Sequence, residues 1–132
     1  MYIFSKQDLE VLPREKTKTS SLEEPVIICR NCNFQITRPS CQIQKDGSFS
    51  HTFANPHGHV FEIGCFDSAP GCASASPVSS EFTWFRGYDW KIVICHGCET
   101  HLGWIFIPYP NGDLSSGQSW FFGLILDKLI FP

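Results

Sequence analysis

The sequence has little charge and only 1 Met. Charged residues make up 17% of the 132, and 10 Lys and Arg against 13 Asp and Glu leave a net charge of -3. Without a cationic excess to neutralise phosphates, nucleic acid is not expected as a main partner. Long uncharged apolar runs are also lacking. No stretch reaches the roughly 20 residues that a membrane-spanning helix needs, so no membrane partner is expected. Lys6, Asp8 and Glu10 interrupt the first twelve residues, so these are not expected to form the apolar core of a secretory leader. A reducing, cytoplasmic setting is therefore expected, with the odd count of 7 Cys held as thiols or metal ligands rather than disulfides.

What is abundant is aromatic and turn-forming. The chain carries 12 Phe, 4 Trp and 3 Tyr together with 9 Pro and 10 Gly, and 42% of it is hydrophobic. That mixture suits short strands joined by tight turns and excludes a helical bundle as the leading idea. An all-β domain is expected over residues 25–132. Residues 1–24 end in the polar run Pro13 to Glu24 and read as a flexible N-terminal segment.

Two segments share one grammar. Val26-Ile27-Ile28-Cys29-Arg30-Asn31-Cys32 and Lys91-Ile92-Val93-Ile94-Cys95-His96-Gly97-Cys98 are both β-branched runs that end in Cys-x-x-Cys. A two-residue spacing lets both sulfurs of a pair reach one ion at about 2.3 Å, and two pairs complete a tetrahedron. Cys29, Cys32, Cys95 and Cys98 are thus read as ligands of one structural Zn²⁺. Because residues 33 to 94 separate the pairs, the ion would clasp distant strands of a single β domain. A thioredoxin-like redox pair would need a helix start after a strand, whereas each pair here enters a turn. Cys41, Cys65 and Cys72 lie outside the pattern and read as buried or surface thiols.

Three of the four Trp fall between Glu81 and Ile107. On a strand, Trp104 and Phe106 point to one face and Ile105 and Ile107 to the other. Phe82 to Phe85 reads as a further strand, with Arg86-Gly87-Tyr88-Asp89 as its turn and Trp90 opening the next strand. A metal at Cys95 and Cys98 would couple Trp90 rigidly to Trp104, so that these rings wall one pocket. Read from the residues alone, packing in the core is the competing role for such Trp side chains, and Trp120 is expected to be a core residue.

These features, with Asn55-Pro56-His57-Gly58, Trp84-Phe85-x-Gly87-Tyr88-x-Trp90, His101-Leu102-Gly103-Trp104-x-Phe106 and Trp120-Phe121-Phe122-Gly123-Leu124, resemble the CULT domain. This is the thalidomide-binding domain of cereblon and of its short single-domain bacterial relatives. The resemblance runs from about Pro25 to Leu129. It implies a β-tent, two antiparallel sheets pinned by one zinc on four cysteines. It also implies a cage of Trp84, Trp90 and Trp104 with Phe106 at its base, holding a cyclic imide such as glutarimide. Backbone groups at Phe82 and Trp84 would meet the imide edge, with Thr83 between them in the same ligand-binding segment, and Asn55 and Pro56 would touch the ligand's exposed part. Phe82 departs from cereblon, which has a histidine at that position.

The function that follows is a binding module without catalysis for cyclic imides or uracil-like rings. Two alternatives belong to other classes. One is a thiol-based enzyme resembling methionine sulfoxide reductases, which share a zinc-pinned sheet architecture and would use Cys41, Cys65 or Cys72. The other is a reader of modified peptide ends or methylated amines, since Trp cages attract cations and Glu81 and Asp89 lie close by in sequence.

Overall fold

The computed structural model describes residues 24–109 and 119–132. The β-branched runs form strands as expected, and among the described residues there is no α-helix. The strands are β1 (Ile27–Cys29), β2 (Gln35–Thr37), β3 (Ser50–Ala54), β4 (Val60–Phe66), β5 (Cys72–Ser74), β6 (Tyr88–Cys95), β7 (His101–Pro108), β8 (Phe121–Ile125) and β9 (Leu129–Ile130). They make two sheets, a three-stranded one in the order β2-β1-β9 and a six-stranded one in the order β3-β4-β8-β7-β6-β5. Every pairing is antiparallel. The expected all-β class of two antiparallel sheets is what the chain adopts.

The period-2 alternation of β7 and β8 divides the core in two. Ile105 and Leu124 face the small sheet, where they pack with Ile27, Ile36, Phe66, Val93, Leu102 and Leu129. Trp104, Phe106 and Phe121 face the opposite way, into a second cluster with Ile63, Phe85 and Tyr88. Trp104 and Phe106 therefore share a face, as the strand pattern requires, and that face is the concave side lined by aromatics.

Three expectations need correction. Tyr88 and Asp89, expected in a turn with Trp90 opening the next strand, already belong to β6. Residues Phe82 to Phe85 are not a strand but a loop, with Phe82 in the left-handed region at φ 54°. The Thr83 hydroxyl donates to the Tyr88 carbonyl at 2.6 Å, which folds the segment back on itself and away from extended geometry. Trp120 is not in the core. It stands 57% exposed just before β8, and Phe121 turns inward instead at 1%. The expected N-terminal segment lies outside the described residues except for Glu24, whose carboxylate accepts the Ser40 hydroxyl at 2.8 Å.

One glycine on β7 is required by both conformation and space. Gly103 has φ +152°, and a Cβ there would sit 2.1 Å from the Gly123 carbonyl oxygen on β8, a backbone atom that has no rotamer to escape into. Gly103→Ala is expected to cost about 4 kcal/mol, from steric overlap added to backbone strain. Urea unfolding of metal-loaded protein measures it, and a loss under about 1 kcal/mol would mean that β7 and β8 slide apart easily.

Candidate functional site

The two Cys-x-x-Cys turns are built alike. In the first, the Cys29 N–H donates to the Phe34 carbonyl and the Asn33 N–H returns to the Cys29 carbonyl; in the second, Cys95 pairs with Thr100 and Glu99 in the same way. Asn33 and Glu99 occupy the left-handed region at φ 67° and 66°. Cys29 ends β1 of the small sheet and Cys95 ends β6 of the large one, so the cluster joins the sheets at one point.

All four sulfurs lie within 4.8 Å of one another. Cys29 Sγ is 3.7 Å from Cys98 Sγ, and Cys32 Sγ is 3.6 Å from Cys95 Sγ. An ion bound tetrahedrally at about 2.3 Å from each sulfur would set them about 3.8 Å apart, so these residues fit a metal ion. The surroundings suit thiolates. The Gly97 N–H donates to Cys95 Sγ at 3.3 Å, and Thr100 Oγ1 lies 3.0 Å from Cys98 Sγ. The Thr100 hydroxyl, aided by Asn31, pulls the Cys98 thiol down to about 6. Burial pushes Cys95 the other way, so that side of the centre needs the charge of a cation to ionise.

The other cysteines are placed differently. Burial pushes Cys65 and Cys72 up to about 12. Cys41 packs against the core between the sheets.

A cavity of about 420 Å³ opens on the concave aromatic side. Trp84, Trp90, Trp104, Phe106, Phe82, Asn55 and Pro56 all line it. Trp104 and Trp90 come from neighbouring strands β7 and β6, where Trp90 lies opposite Phe106. Trp84 comes from the loop 80–87, and its ring meets that of Trp104 edge to face at 4.7 Å and 71°. Asn55 and Pro56 come from the β3–β4 turn, where Asn55 Oδ1 accepts the His57 and His59 N–H groups at 3.0 Å each. Thr83 does not line the cavity; its hydroxyl is spent on the loop fold described above.

Glu81, noted in the sequence for its charge, lines the same cavity, as do His57 and Ser79, to which the sequence reading gave no ligand contact; Asp89 does not line it. Trp90 Nε1–H donates to the Glu81 carbonyl at 2.8 Å, and Ser79 exchanges two backbone hydrogen bonds with Trp90. Phe61 stands behind the corner of the cage, 5.3 Å from Trp104 and 6.1 Å from Trp84. His101 sets its ring perpendicular to Trp104 at 4.9 Å, and burial pushes its pKa below the usual histidine range. Among the described residues, no protein group hydrogen-bonds the N–H or carbonyl of Phe82 or of Trp84. Backbone groups left in this way are open to a ligand.

No family model matches the chain. Curated relatives do. Protein cereblon of Drosophila melanogaster is 32% identical over 100 residues, 71% of this chain and 17% of that protein. Protein cereblon of Drosophila persimilis is 34% identical over 89 residues, 64% of this chain and 14% of that protein. Protein cereblon of Danio rerio is 35% identical over 68 residues, 52% of this chain and 16% of that protein. The chain thus spans less than a fifth of the length of these relatives. Their identity, the two antiparallel sheets joined at a four-cysteine cluster and the aromatic cavity agree with one another, and the chain belongs to the cereblon-like CULT domains.

Proposed function

We propose that this domain is a small-molecule receptor, without catalysis of its own, that holds a cyclic imide or uracil-like ring in the aromatic cavity. The observation that carries the reading is the union of three Trp faces with the unengaged backbone of Phe82 and Trp84 at one cavity wall. A flat ring with an N–H between carbonyls offers π faces to the Trp side chains, and its edge complements backbone donors and acceptors. The four cysteines hold a structural Zn²⁺ in this reading, since four thiolates leave no coordination position for a substrate. The high pKa of Cys65 and Cys72 favours binding over thiol catalysis, because the thiolate is the reactive form. Among the described residues no helix is long and apolar enough to cross a membrane. We place the protein in the cytoplasm, on the thiol chemistry argued from the sequence.

Titration of zinc-loaded protein with glutarimide, uracil and thalidomide, followed by Trp fluorescence, tests the proposal. Saturable quenching is expected with a Kd on the order of micromolar, about -8 kcal/mol, which a ring of about 8 heavy atoms can reach within the known ceiling per atom. No quenching from folded protein would reject it. A second reading, a methylated-amine reader, is favoured by one observation: Glu81 lines the same cavity as the Trp rings. Trimethyl-lysine displacing the imide at lower concentration than free imide does would decide for that reading.

A further inference from the structure

Trp84 is the wall of the cavity with the least support from its own backbone. Trp90 and Trp104 stand on paired strands, whereas Trp84 stands on a loop. A ring on a loop defines a binding surface only if its rotamer is fixed from outside. On its cavity side Trp84 meets Trp104 only edge to face. On its other side, Phe53 of β3 stacks against it at 5.0 Å and 13°, close to parallel. The next residue of β3 holds the indole edge, since Trp84 Nε1–H donates to the Ala54 carbonyl at 3.2 Å. Behind Phe53, the His51 ring lies parallel at 5.8 Å and 3°, because residues two apart on a strand share a face. Trp84, Phe53 and His51 thus form one column of near-parallel rings running from the cavity wall onto the edge strand of the large sheet. Phe61 touches Trp84 only at 6.1 Å and a tilt of 44°, too oblique to set its plane.

We propose that Phe53, which does not line the cavity, is the positioning residue of the site: its ring face fixes the plane in which Trp84 meets a ligand. The inference rests on reading the cavity as a ring-binding site. Loss of the stack leaves Trp84 several rotamers, and ordering them on binding then weakens affinity without removing any ligand contact. Phe85 also packs edge-on against Phe53 at 5.3 Å, so a variant must keep most of the apolar volume.

The test uses zinc-loaded Phe53→Leu, which stays apolar with a modest loss of volume but cannot stack, and Phe53→Tyr, which keeps the ring face. Glutarimide affinity is read by fluorescence, and the Trp84–Trp104 exciton couplet is read by circular dichroism on ligand-free protein, with Trp84→Phe defining that couplet. Expected are an affinity about fivefold to tenfold weaker in Phe53→Leu, within about twofold of wild type in Phe53→Tyr, and a couplet lost only in the leucine variant. Wild-type affinity and an intact couplet in Phe53→Leu would overturn the proposal. So would equal losses in both variants, which mark a merely structural role. If wild-type protein does not bind glutarimide, it is the imide reading that fails, and the ligand-free couplet alone then decides whether Phe53 sets Trp84.

Discussion

Removing the zinc proposed for the four-cysteine centre is expected to unfold the domain. Cys29 and Cys95 are both fully buried, and they end strands that belong to different sheets. The small sheet contributes only short strands, of 3, 3 and 2 residues, whose own ladders hold little. Its inner side chains Ile27, Ile36 and Leu129 complete the core between the sheets, so detaching it exposes that core to water. Binding of a structural zinc contributes on the order of 10–16 kcal/mol to folding. A domain of this size has a net stability of about 5–15 kcal/mol, so loss of the metal exceeds or matches the whole of it. The measurement is far-UV circular dichroism during chelation, with released zinc counted in parallel. Cys95→Ser should behave as the chelated protein does, whereas Cys41→Ser should keep its zinc. Because thiols must lose their protons to bind, metal affinity falls as pH falls, and acid should release zinc and structure together. A chelated protein that still unfolded cooperatively within about 2 kcal/mol of the loaded form would show that hydrophobic packing alone joins the sheets.

The centre was legible in the sequence because its information is local. A β-branched run, a two-residue spacing and a turn repeat at both pairs, and the backbone of both turns is the same down to the left-handed residue four positions after the first cysteine. The faces of β7 were legible for the same reason, since alternation is a property of neighbours. The loop bearing Trp84 was not. Phe82, Trp84 and Phe85 have the bulky aromatic side chains that favour strands, and only the Thr83 hydroxyl bond to Tyr88 reveals a fold-back. Trp120 misled in the converse way, because one step of register decides whether it or Phe121 faces inward. Phe53, Phe61 and Ser79 were out of reach, because their roles exist only across the sheet order. Phe53 lies on the strand at one edge of the large sheet, yet it packs on a ring from the loop that leads into β6.

Trp84→Ala is the substitution expected to damage ligand binding most for the least damage to the fold. Trp104 is only 9% exposed and belongs to the second core cluster, so its removal would mix cavity and core effects. Trp90 anchors the loop through its bond to Glu81 and its bridge to Ser79, so it too has a structural part. Trp84 is half-buried on a loop, and its polar atom bonds only the exposed Ala54 carbonyl of the edge strand. Its removal takes away one aromatic wall and leaves Phe53 behind an enlarged cavity. Central aromatic residues of a binding site are worth roughly 2–3 kcal/mol when truncated to alanine, which corresponds to roughly 30- to 150-fold in Kd. Trp120→Ala, which removes a ring from the surface and not from the cavity, should leave affinity unchanged. The pair of variants is read by calorimetry with glutarimide on protein of verified zinc content. Equal affinity in Trp84→Ala and Trp120→Ala would mean that the cavity is not the binding site, whatever the wild-type protein binds. A selective loss in Trp84→Ala assigns the ring's energetic contribution to the wall that Phe53 supports.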